Sequence, residues 1–83
     1  MNITYKEFEN KLKNVAGNLV ISIVDNVLFV SYYGTKIAKI WRNNMFELDI
    51  DFDKIMALPQ NKVFMICNLC LELAFTPIQD REE

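Results

Sequence analysis

Three short polar breaks constrain this chain more than any other feature. Asp25-Asn26, Gly34-Thr35 and Asn43-Asn44 separate four runs, 19–24, 27–33, 36–42 and 45–50, that are rich in β-branched and aromatic residues. Asp, Asn and Gly tolerate the positive φ that tight two-residue hairpins require. The pattern predicts a four-stranded antiparallel meander. If every loop has two residues, 24 lies opposite 27, 33 opposite 36, and 42 opposite 45. One face then carries Leu19, Ile21, Ile23, Leu28, Val30, Tyr32, Ile37, Lys39, Trp41, Phe46, Leu48 and Ile50, and all but Lys39 are apolar. Lys39 is the misfit, expected near an edge where its amine reaches water. The opposite face is mixed: Val20, Ser22, Val24, Val27, Phe29, Ser31, Tyr33, Lys36, Ala38, Ile40, Arg42, Met45, Glu47 and Asp49.

Helical signals flank the meander. Thr4 followed by Glu7 is a capping box, and Ile3 before the cap can pack on Phe8 as a hydrophobic staple. Tyr5, Phe8, Leu12 and Val15 recur at helical spacing, and Gly17 offers a left-handed stop, so a helix is expected over 5–16. After Asp51-Phe52-Asp53 a short aspartate-capped turn is expected through Leu58. Pro59 suits the start of a long helix to about Phe75, and Thr76 before Pro77 should leave the α region. That helix is apolar nearly all round, with Asn61, Asn68, Glu72 and Thr76 as its polar stripe beside Met65. The tail 78–83 is charged and expected to fray. The fold class is therefore α+β, a two-layer sandwich of helix, meander, short helix and long helix, with the helices on one sheet face. The chain reads as one domain over 1–83.

Composition removes several functions. Apolar residues make 52% of the 83 and charged ones 24%, with two Gly and two Pro, so the chain is expected to fold rather than stay disordered. A core this small needs dense packing or a second chain to stabilise it. No apolar run approaches the ~18 residues of a membrane span, and no signal-peptide start is seen, so the cytoplasm is the expected compartment. Net charge is −2, which disfavours a bulk polyanion as partner. With no histidine, His-based catalysis and His-bearing metal sites are excluded.

The remaining motifs favour structural readings. Cys67-Asn68-Leu69-Cys70 is a CxxC, but redox thiols sit at a helix N-terminus, and these fall mid-helix on apolar positions. No second CxxC completes a zinc site. Glu47, Asp49, Asp51 and Asp53 alternate, yet a calcium loop counted from Asp49 has Lys54 where glycine belongs and Gln60 where glutamate belongs. A negatively guarded edge strand is the better account, with a partner-binding acidic stripe the alternative. Asn2-Ile3-Thr4 matches a glycosylation sequon, which matters only on secretion. There is no glycine-rich phosphate loop, and Ser22 and Ser31 lie within strands without a base. Neither catalysis, nor a cofactor, nor a bound metal is expected. The element order resembles a double-stranded RNA-binding domain in outline, but the long helix starts Pro59-Gln60-Asn61-Lys62 with a single lysine, too little charge for phosphates.

At the C-terminus, Leu73-Ala74-Phe75-Thr76-Pro77-Ile78-Gln79-Asp80-Arg81-Glu82-Glu83, together with the opening Tyr5-Lys6-Glu7-Phe8, resembles small hypothetical phage and prophage proteins of Firmicutes. Those share an Ala-x-Thr-Pro-Ile/Leu-x-x-Arg-Glu ending and often continue into a Lys- and Tyr-rich segment, so this chain is expected to be a short or trimmed member. The resemblance implies a viral accessory role in a bacterial cytoplasm and carries no catalytic residues across. The leading expectation is a non-enzymatic protein that binds a host or phage protein, such as a defence component, or pairs with itself as a homodimer. The alternative is a nucleic-acid-binding or repressor-complex accessory factor. The expected contact surface is the outer sheet face, at Val20, Val24, Val27, Phe29, Tyr33, Ile40 and Arg42.

Overall fold

The computed structural model describes residues 2–82. In order they form α1 (Tyr5–Val15), β1 (Leu19–Val24), β2 (Val27–Tyr32), β3 (Thr35–Trp41), β4 (Leu48–Ile50), α2 (Phe52–Ile55), α3 (Gln60–Ala74) and a 3-10 turn (Ile78–Asp80). The sheet is an antiparallel meander, β1-β2-β3-β4. α1 packs on α3 and β1, while α3 packs on β3 and β4, so both long helices cover one face. The fold class is the one read from the sequence.

Helix α1 starts on its capping box: the Glu7 amide donates to Thr4 Oγ1 at 3.2 Å, and the Thr4 amide donates to Glu7 Oε1 at 3.0 Å. The amide bond from Thr4 holds the Glu7 carboxyl below its ordinary range. Ile3, Phe8 and Leu12 enter the core, with Tyr5 and Val15 half-buried beside them. The stop differs from expectation. Ala16 itself turns extended, at φ −156°, and Leu19 N–H closes the turn on Ala16 O at 3.1 Å, so Gly17 needs no left-handed conformation.

Register departs from the two-residue arithmetic at two of three hairpins. Asp25 and Asn26 take φ 50° and 66°, and Val24 pairs with Val27 as expected. The second turn, however, uses Tyr33 and Gly34, at φ 51° and 80°, so Tyr32 pairs with Thr35. Pairing then jumps from Ser31↔Lys36 to Val30↔Ala38, leaving Ile37 as a bulge residue. The net shift of one residue turns most of β3 over. Ala38 and Ile40 face the core, and Lys39 and Trp41 take the outer face through their pairs Phe29↔Lys39 and Val27↔Trp41. The third connection is a loop over 42–47, with Ile40 opposite Leu48. That second shift cancels the first, and Leu48 and Ile50 point inward after all.

The segment 78–83 is not a frayed tail over its described part. Arg81 is completely buried. Its Nε donates to Thr76 O at 3.0 Å, Nη1 to Trp41 O at 3.0 Å, and Nη2 to Ala74 O at 3.1 Å and Asn44 O at 3.4 Å. Its own carbonyl accepts from Tyr5 N–H at 2.7 Å. Thr76, also buried, accepts from Ile3 N–H at 3.0 Å and donates to Glu72 O at 2.7 Å, so it leaves the polar stripe expected of α3. A charge count marks this segment as solvated, but the 3-10 turn folds Arg81 back beneath the end of α3, where orphan carbonyls need donors.

Four substitutions test this account. Ile40→Lys should unfold the protein, because it puts an unpaired ammonium in the core, whereas Lys39→Ala should stay within about 0.5 kcal/mol of the parent. Arg81→Ala should cost at least about 3 kcal/mol in urea unfolding, since it takes the guanidinium donor from the buried Thr76 carbonyl and the part-buried Trp41 carbonyl and leaves a cavity where a large side chain was fully enclosed. Arg81→Lys should recover only part of that, because a point charge cannot serve four carbonyls in a planar fork.

Candidate functional site

Of the seven expected contact residues, four lie together on the outer face. Val20 and Val24 are about half exposed, and Val27 and Phe29 are partly covered by their neighbours. Tyr33 sits in the second turn, 71% exposed, its hydroxyl 2.6 Å from Asn18 Nδ2 and its ring edge-on to Tyr32. Ile40 is fully buried and is core. Arg42 lies on the helix side, its guanidinium 5.0 Å from the Tyr5 ring and Nη2 3.5 Å from Glu82 Oε1. The overturned register of β3 accounts for Ile40, and the longer third loop accounts for Arg42.

The same shift gives the outer face a different chemistry. Phe29 and Trp41 stand on the two central strands, with Lys36 Nζ 4.1 Å from the Phe29 ring centre and Lys39 Nζ 5.6 Å from that of Trp41. Asp49 lies opposite Lys39 on β4. A shallow cavity of about 360 Å³ opens between this face and α2, lined by Phe29, Lys36, Lys39, Asp49, Asp51 and Lys54. Asp51 caps α2 through Lys54 N–H at 3.2 Å and lies 3.8 Å from Lys54 Nζ. A second cavity of about 350 Å³, more apolar, lies by the β2–β3 turn against Tyr32, Tyr33, Ile37 and Ala57. Among the described residues no cluster of three or more Cys, Asp and Glu is placed to hold a metal, and no helix is long and apolar enough to cross a membrane.

Further exposed apolar side chains lie elsewhere: Phe52 and Met56 at α2, each 62% exposed, and a row along the solvent side of α3. Val63, Ile66, Cys70, Leu73 and Ala74 fill the core side. Phe64, Leu71 and Phe75 follow one another on the other side at 68%, 40% and 54% exposure, with Asn68 between them and Met65 adjacent. Phe46 extends the stripe from the third loop. Its ring stacks edge-on to Phe75 at 5.0 Å, and its N–H donates to Ala74 O at 2.8 Å. Phe46 has φ 65°, a costly conformation for a bulky residue, and it is nonetheless 61% exposed. An α3 apolar on nearly every side carried this signal in the sequence, since one core can cover only part of such a helix.

Both thiols are free. Cys70 is fully buried, and burial together with the neighbouring Cys67 pushes its thiol up to about 12. Cys67 is half-buried and is raised by desolvation. These are the opposite of a redox environment, which lowers the thiol pKa. A thiol reagent should therefore modify Cys67 first and Cys70 at a rate limited by unfolding. Because the folded Cys70 pKa exceeds the unfolded value near ~8.5, its contribution is fully present below that pH and is lost as pH rises toward about 12. Melting temperature should fall through this window, and Cys70→Ala should flatten the fall.

Compared with protein-family models, curated proteins and solved structures, the chain finds no match.

Proposed function

We propose that this chain is a non-enzymatic interaction protein that binds another protein through the aromatic side of α3. From the likeness of residues 74–82 to phage and prophage proteins, we propose further that it serves as an accessory factor in a bacterial cytoplasm, on a host or phage target such as a defence component. The observation that carries the reading is the exposed stripe Phe46, Phe64, Leu71 and Phe75. Isolated surface apolar residues need no explanation, but three phenylalanines and a leucine sharing one side of the molecule form an exposed apolar patch of the kind that marks an interaction surface, and phenylalanine is enriched at protein interfaces. The left-handed Phe46 adds to it, because local strain is retained where a side chain has to be presented.

A nucleic-acid role is the second reading, favoured by one observation: Phe29 and Trp41 share the open sheet face with Lys36 and Lys39. Rings on central strands flanked by cations are how sheets stack single-stranded bases. Net charge −2 and Asp49 opposite Lys39 oppose it, since each phosphate contact needs an uncompensated cation.

The two readings separate in one experiment. Host lysate is passed over the immobilised protein and over a Phe64→Ser/Phe75→Ser variant, each with and without nuclease. A protein retained by the parent at least tenfold more than by the variant, and unaffected by nuclease, is the expected result. Retention lost on nuclease treatment, or removed by Lys36→Glu/Lys39→Glu while the Phe variant still binds, would transfer the function to the sheet face.

A further inference from the structure

The two edges of the sheet are built differently. β4 is three residues long, with Asp49 exposed in its centre and Glu47 and Asp51 on either side. Short length and alternate carboxylates are what keep an edge from pairing with another strand. β1 has no such protection. Its six residues, Leu-Val-Ile-Ser-Ile-Val, carry no charge and no proline, and Val20, Ile23 and Val24 are about half exposed. β2 pairs along one side of β1, α1 packs against it, and among the described residues no strand pairs with its other side.

The backbone of β1 shows what this edge can accept. Val24 and Val27 close a two-residue turn, so Val24, Ser22 and Val20 exchange bonds with β2, and the groups of Leu19, Ile21 and Ile23 point to the open side. Leu19 N–H is taken by Ala16 O at 3.1 Å. Ile21 and Ile23 therefore present two donors and two acceptors in a row, the array with which an added extended strand pairs.

We propose that β1 is the seam of a symmetric homodimer, in which the β1 strands of two copies pair antiparallel about Ser22 to make one continuous eight-stranded sheet. A two-fold axis through Ser22, normal to the sheet, keeps core face beside core face. It sets Ile21 opposite the second copy's Ile23, and the reciprocal pair supplies four backbone bonds in all. On the outer face it sets Val20 opposite the second copy's Val24, and Ser22 opposite itself. Small Ser22 fits the axis, where facing side chains come closest. Charge also selects a second copy. An uncharged strand meets its own copy with no like charges opposed, whereas joining β1 to the acidic β4 of another copy would repeat head to tail without closing. The dimer joins two outer faces edge to edge and leaves the α3 stripe free, so it stands apart from the function proposed above.

The test is sedimentation of the full chain from 1 to 200 μM, with three variants. The parent should move from monomer to dimer across this range. Ser22→Lys puts two ammonium groups face to face on the axis and should hold the protein monomeric, with an unchanged circular dichroism spectrum. Ile23→Pro removes an outward N–H and no β1–β2 bond, and should also be monomeric. Ser22→Cys, treated with oxidised glutathione, should form a covalent dimer in high yield, because only residue 22 faces its own copy; Val20→Cys should not. This cross-link reads the seam even if the lysine or proline variant fails to fold. A parent that stays monomeric at 200 μM overturns the proposal. So does a dimer that survives both edge variants or is lost in Phe64→Ser/Phe75→Ser, or a Val20→Cys cross-link that equals that of Ser22→Cys.

Discussion

A buried guanidinium holds the ends of four segments in place. Arg81 donates to carbonyls from the end of β3, from the third loop, from the last turn of α3 and from Thr76, while its own carbonyl takes the first amide of α1. All of these acceptors are neutral. The negative end of the α3 dipole supplies the counter-field that a carboxylate would otherwise provide. Stripping water from such a charge costs several kcal/mol, so the site is stable only when its fork is nearly saturated. For a domain of this size, with a net stability of roughly 4–12 kcal/mol, that dependence is large.

The Thr-Pro-Ile-x-x-Arg segment thereby acquires a physical role. Thr76 bonds forward to the chain at Ile3 and back to Glu72, Pro77 ends the helix, and the 3-10 turn over Ile78–Asp80 sets the return angle for Arg81. The segment is a structural clasp.

Local signals were legible, and compensating ones were not. The capping box placed α1, Asp25-Asn26 placed the first turn, and Pro59 with Thr76-Pro77 bounded α3, because each is a short-range rule about φ or an orphan amide. The second turn failed those rules: Tyr33 accepts a left-handed φ that its side chain disfavours, and a bulge at Ile37 returns half of the slip. Nothing within a few residues announces either. Lys39 was the trace they left, the one charged residue on a face otherwise apolar, and it lies among the aromatics outside. The same slip carried Ile40 wrongly to the surface. For the candidate site, the visible sign was an α3 with more apolar sides than one sheet can cover. Arg81 had no sign of its own, since a charged residue near a chain end looks solvated until the fold surrounds it.

The clasp also sets an order of events during synthesis. Ile3 bonds Thr76 and Tyr5 bonds Arg81, so the contacts that join the two ends form only after the whole sheet has been made. At roughly 5–20 residues per second, the about fifty residues from Tyr33 in the second turn to Arg81 take several seconds to emerge. Throughout that interval the nascent sheet lacks α3 as part of its cover, and its first hairpin is the most apolar part. The clasp therefore closes only after the strands it secures have been made, and a chain halted short of Arg81 leaves carbonyls at that end of α3 without the donors that complete the fold.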